Sequence, residues 1–316
     1  MASAIEVKDL VKYYGELVAI DHISFQVEEG EIFGFLGPNG AGKTTTQRIL
    51  TGIIESNDGD AWVMGHNIRK DAFYAKSLMG IVPEMANPYI DISAWNNLML
   101  MGELYGVPKE KRRKQADKLL EMLGLYERKN TKVKTFSKGM KQRLLLCISL
   151  ISQPQILFLD EPTAGLDVQS ARLIRNLITE LNKEGVTVFL TTHNIEEANQ
   201  LCTRIAIIDH GKIATIDSPE NLRQAFQSMQ SVEISFAAPF DDIGLLRKLA
   251  GVDEVKRVGE KFRLYTEEPA KVIYELTNFS RSNNIKFTTL NTLGPSLEDV
   301  FVKIIEEHKG WNYEHH

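Results

Sequence analysis

The sequence predicts an α/β protein in two parts: a mostly parallel sheet covered by helices on both faces, then a smaller α+β unit. Three observations predict it. Short apolar strand runs alternate with helical stretches up to about residue 225, the pattern of strands buried on both faces. A glycine-rich loop, GPNGAGKT at residues 37–44, joins one such run to a helix. After about Gln230 the order changes to strand, helix, two strands, helix, strand.

The elements follow in order. Ile5 to Val7 and Ile23 to Val27 alternate as strands, and Glu31 to Leu36 (EIFGFL) is a short, mostly apolar run stopped by a glycine, Gly37. A helix is expected from about Lys43 to Leu50. Ile92 to Leu123 is rich in Leu, Met, Lys and Glu and reads as helical, broken at Gly106-Val107-Pro108 because glycine and proline interrupt helices. The next helix runs from about Ser137 to Ile151 and stops before Pro154. Ile156 to Leu159, Ser170 to Lys183 and Val186 to Leu190 then read as strand, helix, strand. In the second part, Val232 to Phe236 is a strand and Ile243 to Leu249 a helix. Val255 to Val258 and Phe262 to Thr266 form a hairpin around Gly259-Glu260, Ala270 to Ser280 is helical, and Ile285 to Leu290 is a strand. That βαββαβ order is the ferredoxin-like arrangement. A last amphipathic helix, Ser296 to Glu307, places Leu297, Val300, Phe301, Ile304 and Ile305 on one face. The expected domains are residues 1–228 and 229–316.

Composition narrows the function. The chain has 316 residues, 43% hydrophobic and 25% charged, the profile of a globular protein rather than a disordered one. A formal net charge of -5 argues against nucleic acid as a partner. The basic stretch KEKRRKQADK, Lys109 to Lys118, contains acids and no aromatics, so it reads as the solvated face of a helix. Cys147 and Cys202 sit in apolar stretches with no ligand spacing, which predicts buried thiols in a reducing compartment. The N-terminal MASAIEVKDL does not have the pattern of a secretory signal. Apolar runs fall short of the roughly 18 residues that span a bilayer.

The chemistry concentrates in two places. GPNGAGKT is a complete G-x-x-x-x-G-K-[ST] between an apolar strand and a helix. Its loop, Gly37, Pro38, Asn39, Gly40, Ala41 and Gly42, can turn the backbone N–H groups of all but Pro38 around phosphate oxygens, and Lys43, Thr44 and Thr45 open a helix whose N-terminus favours anions. Lys43 can reach the β- and γ-phosphates and Thr44 can set its hydroxyl on Mg²⁺. The second place is ILFLDE, Ile156 to Glu161, where two carboxylates end a buried strand. Ligands gather at the carboxyl ends of parallel strands. Asp160 is then placed for the Mg²⁺ shell and Glu161 to orient or deprotonate an attacking water.

With these motifs the chain resembles the ATP-binding subunits of ABC transporters, over about residues 4–225. FSKGMKQR matches the family signature through Ser137 and Gly139. DEPTAGLD joins the carboxylate pair to the D-loop, ending in Asp167, and TTHN supplies the switch histidine, His193. Tyr14 matches the aromatic that stacks on adenine. The resemblance implies a P-loop NTPase with a RecA-like parallel sheet, an antiparallel β subdomain and a helical subdomain at about 91–150. It implies an ATPase using ATP and Mg²⁺. It also implies a head-to-tail dimer, either a homodimer or a heterodimer with a paralogue. ATP binds to Tyr14, Lys43, Thr44, Glu84 and Asp160 of one subunit, while Ser137 and Gly139 of the other close over the γ-phosphate. The chain would be cytoplasmic, held at the inner face of the cell membrane by a separate transmembrane permease that docks near Ile81 to Trp95. Pro295 to Phe301 resembles a tail found in family members with exporter-type membrane subunits. Two motifs depart from the family pattern. Glu84 stands where glutamine is more usual, which keeps metal-binding oxygens and loses an amide donor. In the signature, Lys138 replaces the first glycine and Met140 the usual glutamine. The alternatives are a soluble ABC ATPase serving translation, repair or iron–sulfur assembly, and a nucleotide-binding regulator without catalysis.

Overall fold

The computed structural model describes residues 3–85, 87–226 and 230–313. The chain forms two compact units, Met1–Ser218 and Pro219–His316. The expected joint between residues 228 and 229 lies outside the described residues.

In the first unit, β1 (Ser3–Tyr14) and β2 (Leu17–Glu28) form an antiparallel pair that runs well beyond the predicted strand cores. Then come β3 (Ile32–Leu36), α1 (Lys43–Leu50), β4 (Asp58–Val63), β5 (His66–Asn67), α2 (Ala72–Ser77) and β6 (Met79–Val82). Three helices follow, α3 (Ala94–Leu104), α4 (Lys109–Met122) and α5 (Lys138–Leu150). The unit continues through β7 (Ile156–Asp160), α6 (Val168–Lys183), β8 (Thr187–Thr192), α7 (Ile195–Leu201), β9 (Arg204–Asp209) and β10 (Lys212–Asp217).

Two sheets result. One is antiparallel, in the order β2-β1-β4-β5; the other has six strands in the order β10-β9-β3-β8-β7-β6. Within the larger sheet β3, β6, β7, β8 and β9 pair in parallel, and β10 alone is antiparallel to its neighbour. Every residue of β3, β7 and β8 is buried, which is why these strands read as unbroken apolar runs. The core between the sheets is aromatic. Phe25 of β2 stacks on Phe33 with centroids 5.7 Å apart, and Phe189 lies 6.0 Å from Phe33 and 5.6 Å from Phe158. Burying each such ring contributes about 1.5–3 kcal/mol.

The helical stretch breaks where glycine and proline predict. On α4, Lys109, Lys111, Arg113, Lys114 and Lys118 are exposed as expected. Arg112 is turned inward instead, pairing with Glu103 at 2.9 Å and donating to the Met99 carbonyl. Cys147 and Cys202 are buried free thiols, and burial pushes both thiol pKa values up.

The second unit begins with α8 (Pro219–Ala225) and continues with β11 (Gln230–Phe236), α9 (Ile243–Arg247), β12 (Glu254–Val258), β13 (Lys261–Thr266), α10 (Pro269–Asn283), β14 (Phe287–Leu293) and α11 (Leu297–Tyr313). Its sheet is wholly antiparallel, in the order β12-β13-β11-β14. The ferredoxin-like βαββαβ order is therefore present. Val232, Ile234, Phe262 and Leu264 form its core with Val272 and Leu276 of α10. Leu297, Val300, Ile304 and Ile305 of α11 are buried, and Phe301 is half-buried.

Candidate functional site

The site is built where parallel strands end. β3 finishes at Leu36, the chain loops through residues 37–42, and α1 starts at Lys43. Gly42 caps that helix in the left-handed region, with φ 110°, and a Cβ there would stand 2.6 Å from the Ala19 carbonyl. Only glycine meets both demands without strain. The Lys43 ammonium folds back over its own loop, donating to the carbonyls of Gly37 at 2.7 Å and Pro38 at 3.0 Å. Burial lowers its pKa, opposed by the nearby carboxylates of Glu161, Asp160 and Glu84.

Beside the loop lies a cleft of about 490 Å³. The loop lines it with Asn39, Gly40, Gly42, Lys43, Thr44 and Thr45. Tyr14, Glu84, Glu161 and His193 join from four other segments. Ala41 is buried beneath, its carbonyl accepting from Gly211 N–H at 3.0 Å. The sequence reading did not anticipate Leu17, Val18 and Ala19, which also line the cleft. Cross-strand pairing sets Leu17 opposite Tyr14 and Val18 opposite Tyr13, and Leu17 and Val18 remain 67% and 50% exposed, an apolar wall beside an open aromatic.

Opposite the loop, β7 and β8 end side by side, with Asp160 paired to Thr191. The buried Asp160 carboxylate accepts from the Thr191 hydroxyl and, at 3.4 Å, from Thr44. Glu161 adopts φ 49°, an uncommon conformation for a side chain that is not glycine. Its N–H donates to the Thr191 carbonyl at 3.0 Å. Its Oε1 accepts from His193 N–H at 2.9 Å and lies 2.7 Å from His193 Nδ1, and its Oε2 accepts from the Thr192 hydroxyl at 3.4 Å. With Glu161 ionised, Nδ1 is the protonated ring nitrogen that donates.

Behind this pair is a further carboxyl that the sequence reading missed. Glu197, 1% exposed on α7, accepts from the Thr163 hydroxyl at 2.6 Å. Burial pushes its pKa up, against hydrogen bonds from Thr163 and Thr192.

The oxygens of Thr44, Asp160 and Glu84 suit a hard cation. Among the described residues no group of three or more His, Cys, Asp or Glu could hold a metal by itself. Mg²⁺ keeps waters and shares phosphate oxygens with one or two carboxylates.

Ser137, Gly139 and Asp167 are not among the residues lining the cleft. Ser137 caps α5, its hydroxyl accepting from Met140 N–H at 3.2 Å. Asp167 caps α6, accepting from Ser170 N–H at 2.8 Å, and its hydrogen bonds from Ser170 hold its carboxyl below the usual range. Gly139 faces this second cap, since a Cβ there would fall on Ser170 Oγ.

Residues 20–164 match the family described as ABC transporter. The chain is similar to the linearmycin resistance ATP-binding protein LnrL of Bacillus subtilis, with 34% identity covering 95% of this chain and 97% of that one. It is also similar to the Nod factor export ATP-binding protein I of Ralstonia nicotianae, at 34% identity over 95% and 93%. Among solved structures, a dimeric ATP-binding cassette in a post-hydrolysis state, bound to ADP and phosphate, aligns with TM-score 0.61 and 26% identity. It covers 68% of this chain and 98% of the other.

Proposed function

The chain belongs to the ATP-binding subunits of ABC transporters and is an ATPase of that family, and from this premise we propose that it powers an exporter whose membrane-spanning part is a separate permease. The observation that carries the reading is the convergence of the phosphate loop, Glu161 and His193 on one cleft, with Ser137 and Gly139 outside it. One chain supplies the cradle and the base, and a second copy or a paralogue supplies the signature. The likeness to a dimeric cassette supports that arrangement.

Each residue then has a task. The N–H groups of the loop, residues 37 and 39–42, and the N-terminus of α1 bind the phosphates, and Lys43 leaves its loop carbonyls for the β- and γ-phosphate oxygens. Thr44, Asp160 and Glu84 would hold Mg²⁺ or its waters; when bound, the ion neutralises charge on the phosphates. Tyr14 stacks on adenine against the Leu17–Ala19 wall. Glu161 orients the attacking water and accepts its proton, while His193 holds Glu161 on one side and a γ-phosphate oxygen on the other. From the partner, Ser137 offers a hydroxyl, Gly139 an N–H, and Asp167 fixes the segment beside them.

Among the described residues no helix is long and apolar enough to cross a membrane. In this reading the permease holds the chain at the inner face of the membrane. Its docking place is a groove of about 500 Å³ lined by Ile53, Phe73, Ile81, Leu104 and Tyr105. Phe73 is 81% exposed and Leu104 66%, an apolar patch of the kind that marks a protein contact. The names of the relatives, resistance and export, support outward transport.

The test is Glu161→Gln. It should keep ATP binding, lose turnover by about 10²- to 10⁴-fold and accumulate an ATP-bound dimer visible by sedimentation. Undiminished phosphate release would remove Glu161 from the role.

A further inference from the structure

Lys138 is one of the two signature residues that depart from the family pattern, and the reaction above gives it no task. It is also oddly placed. As the first residue of α5 it sits where unpaired N–H groups carry partial positive charge, and no acid stands in that first turn to offset it. Its ammonium does not simply extend into solvent. Nζ donates at 2.8 Å to the carbonyl of Ala164, within the D-loop.

That carbonyl belongs to a short, internally bonded segment. Ala164 N–H donates to the Glu161 carbonyl at 3.1 Å, and Leu166 N–H to the Thr163 carbonyl at 3.2 Å. Asp167 then caps α6. Next in sequence to Lys138, Gly139 lies against Ser170 just past the far end of the same segment, with Asp167 Oδ2 3.5 Å from where its Cβ would be. Of two consecutive signature residues, Lys138 therefore bonds to residue 164 inside the D-loop and Gly139 packs against Ser170 in the first turn of α6, just past the loop's end. Lys138 also occupies the space beside Gly165. A Cβ on that glycine, at φ 65°, would come within 2.5 Å of Nζ.

We propose that Lys138 is a positioning residue that ties the signature to the D-loop of its own subunit, so that both approach the second subunit's nucleotide as one body. This rests on the dimer reading above. An exposed lysine–carbonyl bond adds little to folding stability, so its effect should show in ATP-driven dimer closure rather than in unfolding. The path is short. The D-loop begins at Glu161, so the tether also links the signature given to one nucleotide with the base serving the other.

The experiment uses the full chain carrying Glu161→Gln, with dimer formation followed by sedimentation across ATP concentrations. Fluorescent-nucleotide binding at dilution reads the monomer, and thermal unfolding reads the fold. Lys138→Met should raise the ATP concentration for half-maximal dimer by about 5- to 10-fold, with monomer affinity and melting temperature close to the parent's. Lys138→Arg, which keeps a donor, should restore most of the difference. A Lys138→Arg protein as impaired in closure as Lys138→Met would overturn the proposal. A Lys138→Met protein that dimerises like its parent would overturn it alone. Failure of the Glu161→Gln parent to dimerise with ATP would overturn the dimer reading, and this proposal with it.

Discussion

In the first unit, β3, β7 and β8 run parallel and every residue in them is buried. In the second, β13 runs antiparallel to both neighbours, and its residues alternate between exposed or half-buried and buried. Parallel strands end on the same side. Leu36, Asp160 and Thr192 therefore deliver the phosphate loop, the carboxylate pair and His193 to one edge of the sheet. Antiparallel strands end on alternate sides and collect no such edge. Their polar residues pair with a neighbouring strand or with α11 instead. Lys261 meets Glu233 at 2.7 Å, and the Tyr265 hydroxyl donates to Asp299 at 2.7 Å. Desolvation and the Asp299 carboxylate push the Tyr265 pKa up to about 12. One unit spends its polar groups on a cleft, the other on its own surface.

That contrast can be broken from either side. After Glu161→Gln, the largest effect is expected at Lys43. Lys43→Ala removes the cation between three carboxylates and the phosphate site, and should cost about 10²- to 10³-fold in turnover with severe loss of nucleotide binding in a fluorescence titration. Phe262→Ala empties the centre of the second unit's core and should destabilise that unit by about 3–5 kcal/mol. Nucleotide binding by the first unit should stay within about twofold of the parent. A comparable loss of binding would mean that the units are one energetic body, and the comparison would fail.

The smallest effect sharpens the picture inside the first unit. The folded state raises the pKa of Glu197 above its ordinary 4.5. Its contribution to stability is thus fully present below that value and is lost as pH rises through the folded value. Glu197→Gln removes the ionisation. Its melting temperature should gain on the parent's from pH 4.5 upward and level off once the parent's carboxyl is ionised. A difference that does not vary with pH would assign Glu197 a neutral packing role.

Much of this was legible in the chain. Apolar runs marked β3, β7 and β8 because burial on both faces leaves no polar positions. The strand–loop–helix at residues 31–50 fixed the phosphate cradle, and Ser137 was identifiable as a helix start. The legible part thins where periodicity does. β10 is half-buried at all six positions, so neither face leaves a pattern. Residues 58–82 hold short strands and a helix that only pairing with β1 and β7 defines.

What the sequence determined by itself was local: which segments become strands, which glycines turn, which serine or aspartate caps a helix. Those outcomes depend on neighbours within a few residues. The tertiary structure decided the rest, because the contacts of the site join distant segments. Thr44 meets Asp160 across 116 residues of chain, His193 meets Glu161 across 32, and Lys138 meets Ala164 across 26. No period or spacing encodes those distances. They arise when parallel strands stack in register and bring their ends together.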